Sequence, residues 1–395
     1  MNHKPVSIFH FNSTCEMAVA NGSPHYTAPF RLRELEKDLS PLMMFFANQN
    51  DIVLTKDPLS LPFIKMLKKS GIPLPSFMCI PDLKEWLLKE GTNYQYIPRP
   101  WGKSPAEDKF FNNLLPESES IWFQGMKNLF ERKTSLEFLK NFLKNHARKE
   151  YPDNIPFLIE KLPFPKINFQ EIFLKSPLSA SGRGLRSVTN GSPNQDTLRW
   201  MTMILKKQGY LTGEQRYEKT SDFSFQFYIS EDHSVKHIGN TWFKTNEQGQ
   251  YKGHLLNAEI PNEAIPLETL IKETGENLCQ SLSISDYSIK YTGYLSIDAF
   301  LYKENNKIKL HPCVEINPRY NMGILSRYIE KYIHPLSKGS FQIYYNSGCP
   351  YSTIVYQQEK ENPIEISDHL MTKGFLSLTD YRKDCSFGAY IILHT

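Results

Sequence analysis

The segment PCVEINPRYNMG, residues 312–323, carries a carboxylate at Glu315, a carboxamide at Asn317 and a guanidinium at Arg319. Alternate residues of an extended strand point to the same side, so the three groups form one row. A second carboxylate, Asp298, lies in YLSIDAFLY, where Leu295, Ile297, Ala299 and Leu301 alternate with polar or aromatic positions. Pairing the two stretches as an antiparallel hairpin with their apolar faces matched puts Asp298, Glu315 and Asn317 on one polar face. A two-residue turn at Asn306-Lys307 sets Asp298 opposite Glu315. A turn at Asn305-Asn306, better suited to positive φ, leaves them diagonal. Two carboxylates about 4 Å apart repel by ~1 kcal/mol in water and ~4 kcal/mol at an effective dielectric of 20. Hard oxygen donors of this kind suit Mg²⁺, which takes one or two carboxylates and completes its shell with water and phosphate oxygens. A solvated polar face, with Arg319 closing a salt bridge, accounts for the same residues.

A second cluster is FLKSPLSASGRGLR, residues 173–186, in which an apolar strand ends at Lys175 and enters a loop with Ser176, Ser179, Ser181, Gly182, Arg183 and Gly184. Small residues let backbone N–H groups approach an anion, and a lysine at the strand end adds compact positive charge. The loop reads either as a clamp for polyphosphate or as a flexible connection. It is neither a Walker A loop nor a GxGxxG fingerprint.

The elements that position these groups follow from periodicity. Val6–Phe11, Asp51–Thr55, Ser76–Ile80 and Tyr94–Ile97 read as strands, with helical spacing at 30–46 and 59–69, a βαβα order that predicts an open parallel sheet. The proline-rich run from Ile97 to Pro105 reads as a linker. A helix follows with Leu136, Leu139, Phe142 and Leu143 on one stripe after a Thr134 or Ser135 cap. Strands are expected at 171–175, 224–229, 294–302 and 307–317, and helices at 196–207 and 267–282. The chain therefore reads as α/β and α+β, in three segments: 1–105, 106–213 and 214–395.

At 395 residues, the chain is long enough for two or three lobes, and its 46 basic and 42 acidic residues are spread without a basic block that would mark a nucleic-acid or anionic-membrane partner. The six cysteines show no CxxC pairing, which fits reduced thiols. MNHKPVSIFHFN lacks the apolar core of a signal peptide, so a cytoplasmic protein is expected.

A strand-borne lysine, a Ser/Gly loop, an acidic hinge, then Asp and Glu-x-Asn-x-Arg on late strands resembles the ATP-grasp superfamily from about Lys133 to Gly323. The resemblance implies a Rossmann-like N-terminal lobe, a small lid subdomain and a C-terminal α+β subdomain. It also implies ATP with Mg²⁺ or Mn²⁺ held by Asp298, Glu315 and Asn317. Lys133 and Lys175 match nucleotide-contacting lysines, Ser179, Ser181, Gly182, Arg183 and Gly184 the lid loop, and Glu214 and Asp222 the hinge and ribose contacts. Arg319 matches the arginine near the transferred phosphoryl group. Asp298 departs from the commoner glutamate by one methylene. The implied activity is phosphorylation of a carboxylate and capture of the acyl phosphate by an amine, both small molecules. A hydroxyl-phosphorylating kinase and a nucleotide-binding protein without turnover stand beside it. A homodimer is compatible with this reading. Residues 11–26 would then face the acceptor. His311 and Cys313 read as neighbours of the site rather than as base and nucleophile.

Overall fold

The computed structural model describes residues 4–90, 94–115, 118–165, 169–178, 184–189, 191–245, 251–381 and 385–394. The chain divides into two compact units that interleave in sequence: 1–123, 252–259 and 320–395 form one, and 124–251 with 260–319 form the other.

In the first unit the expected parallel sheet is present, with Ser76–Met78, Ile52–Leu54, Lys4–His10 and Tyr94–Pro100 side by side in that order. The proline-rich run from Ile97 is not a linker. Its first part continues the strand Tyr94–Pro100, Ile8 pairing with Pro98 and His10 with Pro100. Prolines are tolerated here because this strand is the sheet's edge and needs no donor on its outer side. Trp101 and Ser104 beyond it are buried, and the Ser104 hydroxyl caps the helix Pro105–Leu114 by accepting from the Glu107 N–H at 3.2 Å. Sequence periodicity gave no elements after residue 323, yet this unit also contains the antiparallel strands Lys338–Tyr345, Phe387–His394 and Leu370–Ser377. Phe11, Leu42, Phe63, Trp101, Phe341, Tyr351 and Phe375 share its core.

The second unit holds two sheets. The smaller contains Phe157–Ile159, Leu211–Gln215, Glu171–Lys175 and Leu185–Thr189 in that order, covered by the helix Gln195–Gln208. Asn194 caps that helix through the Thr197 N–H at 2.8 Å, and Gly209 ends it at φ 85°, a left-handed position suited to glycine. The larger antiparallel sheet places Lys307–Asn317, Gly293–Glu304, Glu218–Ile229 and Val235–Thr245 side by side. Phe223, Phe225, Phe227, Leu295, Ile297 and Leu301 are fully buried on it.

The hairpin Gly293–Glu304 and Lys307–Asn317 turns at Asn305 (φ 50°) and Asn306 (φ 59°), so Glu304 pairs with Lys307. Continued without interruption, that register leaves Asp298 diagonal to Glu315. The ladder shifts instead between Phe300↔His311 and Asp298↔Glu315, where Ala299 alone faces Pro312, Cys313 and Val314. Pro312 has no N–H to give the ladder, and the extra residues bulge there. The asparagine turn and direct opposition of the carboxylates thus coexist.

The helix Arg132–Asn145 packs on this hairpin. Its N-cap is Glu131, not Thr134 or Ser135. Ser135 is a buried tie, its hydroxyl accepting from the Ile316 N–H at 3.1 Å. We expect Asn306→Val to lower stability by about 1–2 kcal/mol in urea denaturation, because a β-branched side chain is forced left-handed, and Asn306→Gly to leave it nearly unchanged.

Candidate functional site

All the described site residues predicted from sequence lie in the second unit. Across the hairpin, Asp298 stands opposite Glu315, and Ser296 opposite Asn317. The next strand puts Ser224 against Asp298 and Gln226 against Ser296, and the strand after it puts Thr241 against Ser224. Directly opposed residues share a face, so the polar row seen in the sequence extends into a floor four strands wide. Gln226 donates to the Ser224 and Thr241 hydroxyls at 2.7 and 3.0 Å, which fixes the far side of that floor below water.

Around the carboxylates the bonds are directional. Asn317 donates its amide to Asp298 Oδ2 at 3.1 Å, and Arg319 donates to Asn317 Oδ1 at 3.2 Å. Glu315 Oε1 meets Arg132 Nη2 at 3.0 Å. Burial, with Glu315 opposite, pushes Asp298 up to about 7 despite Arg319 and the Asn317 amide. Asp298 is thus held partly protonated near neutral pH, chiefly because it is buried. The donors of this face are all hard oxygens, the chemistry that Mg²⁺ takes. Among the described residues no group of three His, Cys, Asp or Glu forms a metal site by itself, so a cation here would rest on two carboxylates and the amide. The residues fit that ion.

Lys175, at the end of the smaller sheet's strand, is buried and ion-paired with Glu214 at the end of the neighbouring strand. Desolvation lowers the lysine's pKa, partly opposed by Glu214, and Arg132 lowers it further. Burial would raise Glu214, but Lys175 and its hydrogen bond hold it below the usual carboxylate range. Asp222, opposite Phe300, accepts from Lys219 at 2.9 Å and from the Thr245 hydroxyl at 2.7 Å. Ser179, Ser181, Gly182 and Arg183 lie outside the described residues. Gly184 closes the base of their loop, its carbonyl accepting from the Ser176 N–H at 2.9 Å.

Lys133 donates its backbone N–H to the Tyr210 hydroxyl at 3.1 Å. The cation that meets the hairpin is its neighbour Arg132, which sequence reading passed over. The signal was available: residues 135, 136 and 139 are buried, and 132 continues that stripe at helical spacing.

His311 is buried against Phe300, ring centroids 4.8 Å apart, and burial pushes its pKa down to about 4, so it is neutral near pH 7. Burial, with Asp298 and Glu315 nearby, pushes the Cys313 thiol far above its ordinary value, which removes it as a nucleophile. In the first unit, residues 11–26 contain the helix Cys15–Asn21, and Asn12 exchanges two hydrogen bonds with the backbone of Gly102, at 2.7 and 3.0 Å.

Between the ordinary 3.8 and about 7, native Asp298 holds a proton that the unfolded chain has lost, so its contribution makes stability fall as pH rises through that window. His311 acts oppositely, which is why a difference between two proteins is the measurement to make. In metal-free buffer, Asp298→Asn is expected to melt above wild type at pH 8, with the gain gone by pH 4. An equal difference at both values contradicts the assignment.

No protein-family model matches the chain, and no curated protein matches it. Solved structures do. The N5-carboxyaminoimidazole synthetase of Staphylococcus aureus, complexed with ADP, is 12% identical and aligns over 99% of this chain and 93% of its own, with a TM-score of 0.51. The L-amino acid ligase of Bacillus licheniformis is 11% identical over 100% of this chain and 94% of its own, TM-score 0.51. The biotin carboxylase domain dimer of Hydrogenobacter thermophilus 2-oxoglutarate carboxylase, in complex with ADP, its magnesium salt and bicarbonate, is 12% identical over 99% and 86%, TM-score 0.51. Along its whole length the chain has the ATP-grasp fold.

Proposed function

We propose that the protein is an ATP-dependent carboxylate–amine ligase. The carrying observation is the row Asp298, Glu315, Asn317 and Arg319 standing in one unit with Arg132 and the Lys175–Glu214 pair. In a fold shared with proteins solved with ADP, that is the equipment phosphoryl transfer requires: oxygen donors for a divalent ion and buried cations for phosphate oxygens.

Asp298, Glu315 and Asn317 would hold Mg²⁺, which supplies charge neutralisation to the phosphate oxygens. Lys175 and Arg319 add fixed positive charge where negative charge develops during transfer. Lys133, the loop 179–184, Glu214 and Asp222 complete the proposed nucleotide contacts. A substrate carboxylate oxygen attacks the γ-phosphorus and ADP leaves. The amine then attacks the acyl carbon, and phosphate departs carrying that carboxylate oxygen. No protein nucleophile is needed, in keeping with the neutral thiol of Cys313. The chain's helices include none long and apolar enough to cross a membrane among the described residues. Small-molecule substrates free in solution complete the proposal.

The test is a screen of amino acids and small carboxylates with ATP and Mg²⁺, using a carboxylate labelled with oxygen-18. ADP release that needs both carboxylate and amine, with the heavy isotope in the liberated phosphate, is expected. Phosphate retained on a hydroxyl acceptor would establish a kinase instead, and no nucleotide turnover with any acceptor would sink the proposal. Glu315→Gln and Arg319→Ala are each expected to lower kcat by about 10²–10³ with the circular dichroism spectrum unchanged.

A further inference from the structure

We propose that Arg132 couples the metal-binding carboxylate to the base of the Ser/Gly loop by exchanging one partner, Glu315, for a nucleotide phosphate. The inference rests on the nucleotide-binding reading of the same site. Arg132 is the first residue of the helix Arg132–Asn145, and three of its bonds lead away from that helix. Its Nη2 meets Glu315 Oε1 at 3.0 Å, its Nε donates to the Ser176 carbonyl at 3.1 Å, and its backbone N–H donates to the Pro177 carbonyl at 3.1 Å. Ser176 in turn ties to Gly184 across the loop's base at 2.9 Å. One guanidinium thus spans the hairpin and the loop.

The arginine side chain is only 10% exposed, and it stays charged at any working pH. A divalent ion drawing Glu315 away leaves the guanidinium one hydrogen-bond partner, the Ser176 carbonyl, while the nearby Glu214 is already paired with Lys175, so the two cations then share one carboxylate. The bonds to Ser176 and Pro177 hold the arginine beside Lys175, whose pKa Arg132 already lowers, so the two cations stand close and repel. A phosphate group is the partner that satisfies both, and a planar guanidinium binds it through two parallel bonds. Without nucleotide, then, Arg132 competes with metal for Glu315. With nucleotide it contributes to the anion site.

Removing the guanidinium must therefore move two affinities in opposite directions, whereas a merely structural arginine would weaken both together. Wild-type protein, Arg132→Met and Arg132→Lys are compared in two titrations. Mn²⁺ alone is followed by the electron paramagnetic resonance of free ion, and ADP alone, in chelator, by calorimetry. Arg132→Met is expected to bind Mn²⁺ about fivefold tighter or more and ADP about fivefold weaker or more, the size of ordinary site-to-site coupling. Arg132→Lys, charged but unable to span both partners, is expected to tighten Mn²⁺ and weaken ADP as the methionine variant does, but by less, and it decides the matter if the methionine variant does not fold. Parallel losses, or no change in either, would overturn the coupling. Wild-type protein that binds neither probe would overturn the nucleotide reading itself.

Discussion

Asp298 and Glu315 face each other across one rung of an antiparallel hairpin, on a surface largely withdrawn from water, and the fold holds them there with Arg132 on Glu315 and the Asn317 amide on Asp298. The turn, the bulge and the neighbouring strands serve that opposition. Asn305 and Asn306 start the hairpin in one register, Pro312 shifts it, and Ser135 pins the strand by taking up the Ile316 N–H. That opposition sets hard oxygen donors side by side, the kind of group that suits a divalent ion.

The two sheets of the second unit supply opposite halves of the electrostatics. The larger contributes carboxylates and an amide, the smaller a buried lysine already matched by Glu214. Because that lysine is neutralised locally, its positive field is restrained. Under the proposed function, a triphosphate would compete with a carboxylate for it rather than meet a naked ammonium. The same logic holds at Arg132, matched by Glu315. Both cations are held in place by anions of the protein, so the proposed exchange for phosphate oxygens would need little reorganisation of either side chain.

Much of this was legible in the residues, and where reading fell short a physical reason is at hand. The alternation in 294–302 and 307–317 located the hairpin and its polar face. The register within it was not settled, because parity arguments assume an unbroken ladder and Pro312 breaks it. The proline-rich stretch from Ile97 looks like a linker in sequence yet forms an edge strand, since proline marks a break only where a donor is needed, and an edge strand needs none on one side. Arg132 was overshadowed by the adjacent lysine, although helical phase places the arginine on the buried stripe. The floor formed by Ser224, Gln226 and Thr241 could not be read locally, since it arises from pairing between strands far apart in sequence.

The interleaving of the two units bears on how the polypeptide acquires its shape. Asp38 accepts the N–H groups of Ser386 and Phe387 at 3.0 Å each, and Asp380 accepts from Ser60 at 2.8 Å, contacts that bridge more than 300 residues. A nascent chain leaving the ribosome cannot close the first unit until its final strand has emerged, while every residue of the second has already been made. The order of maturation thus runs against the order of synthesis: the later-starting body can consolidate first, and the early segment must wait, with apolar surface uncovered, for a distant stretch to arrive.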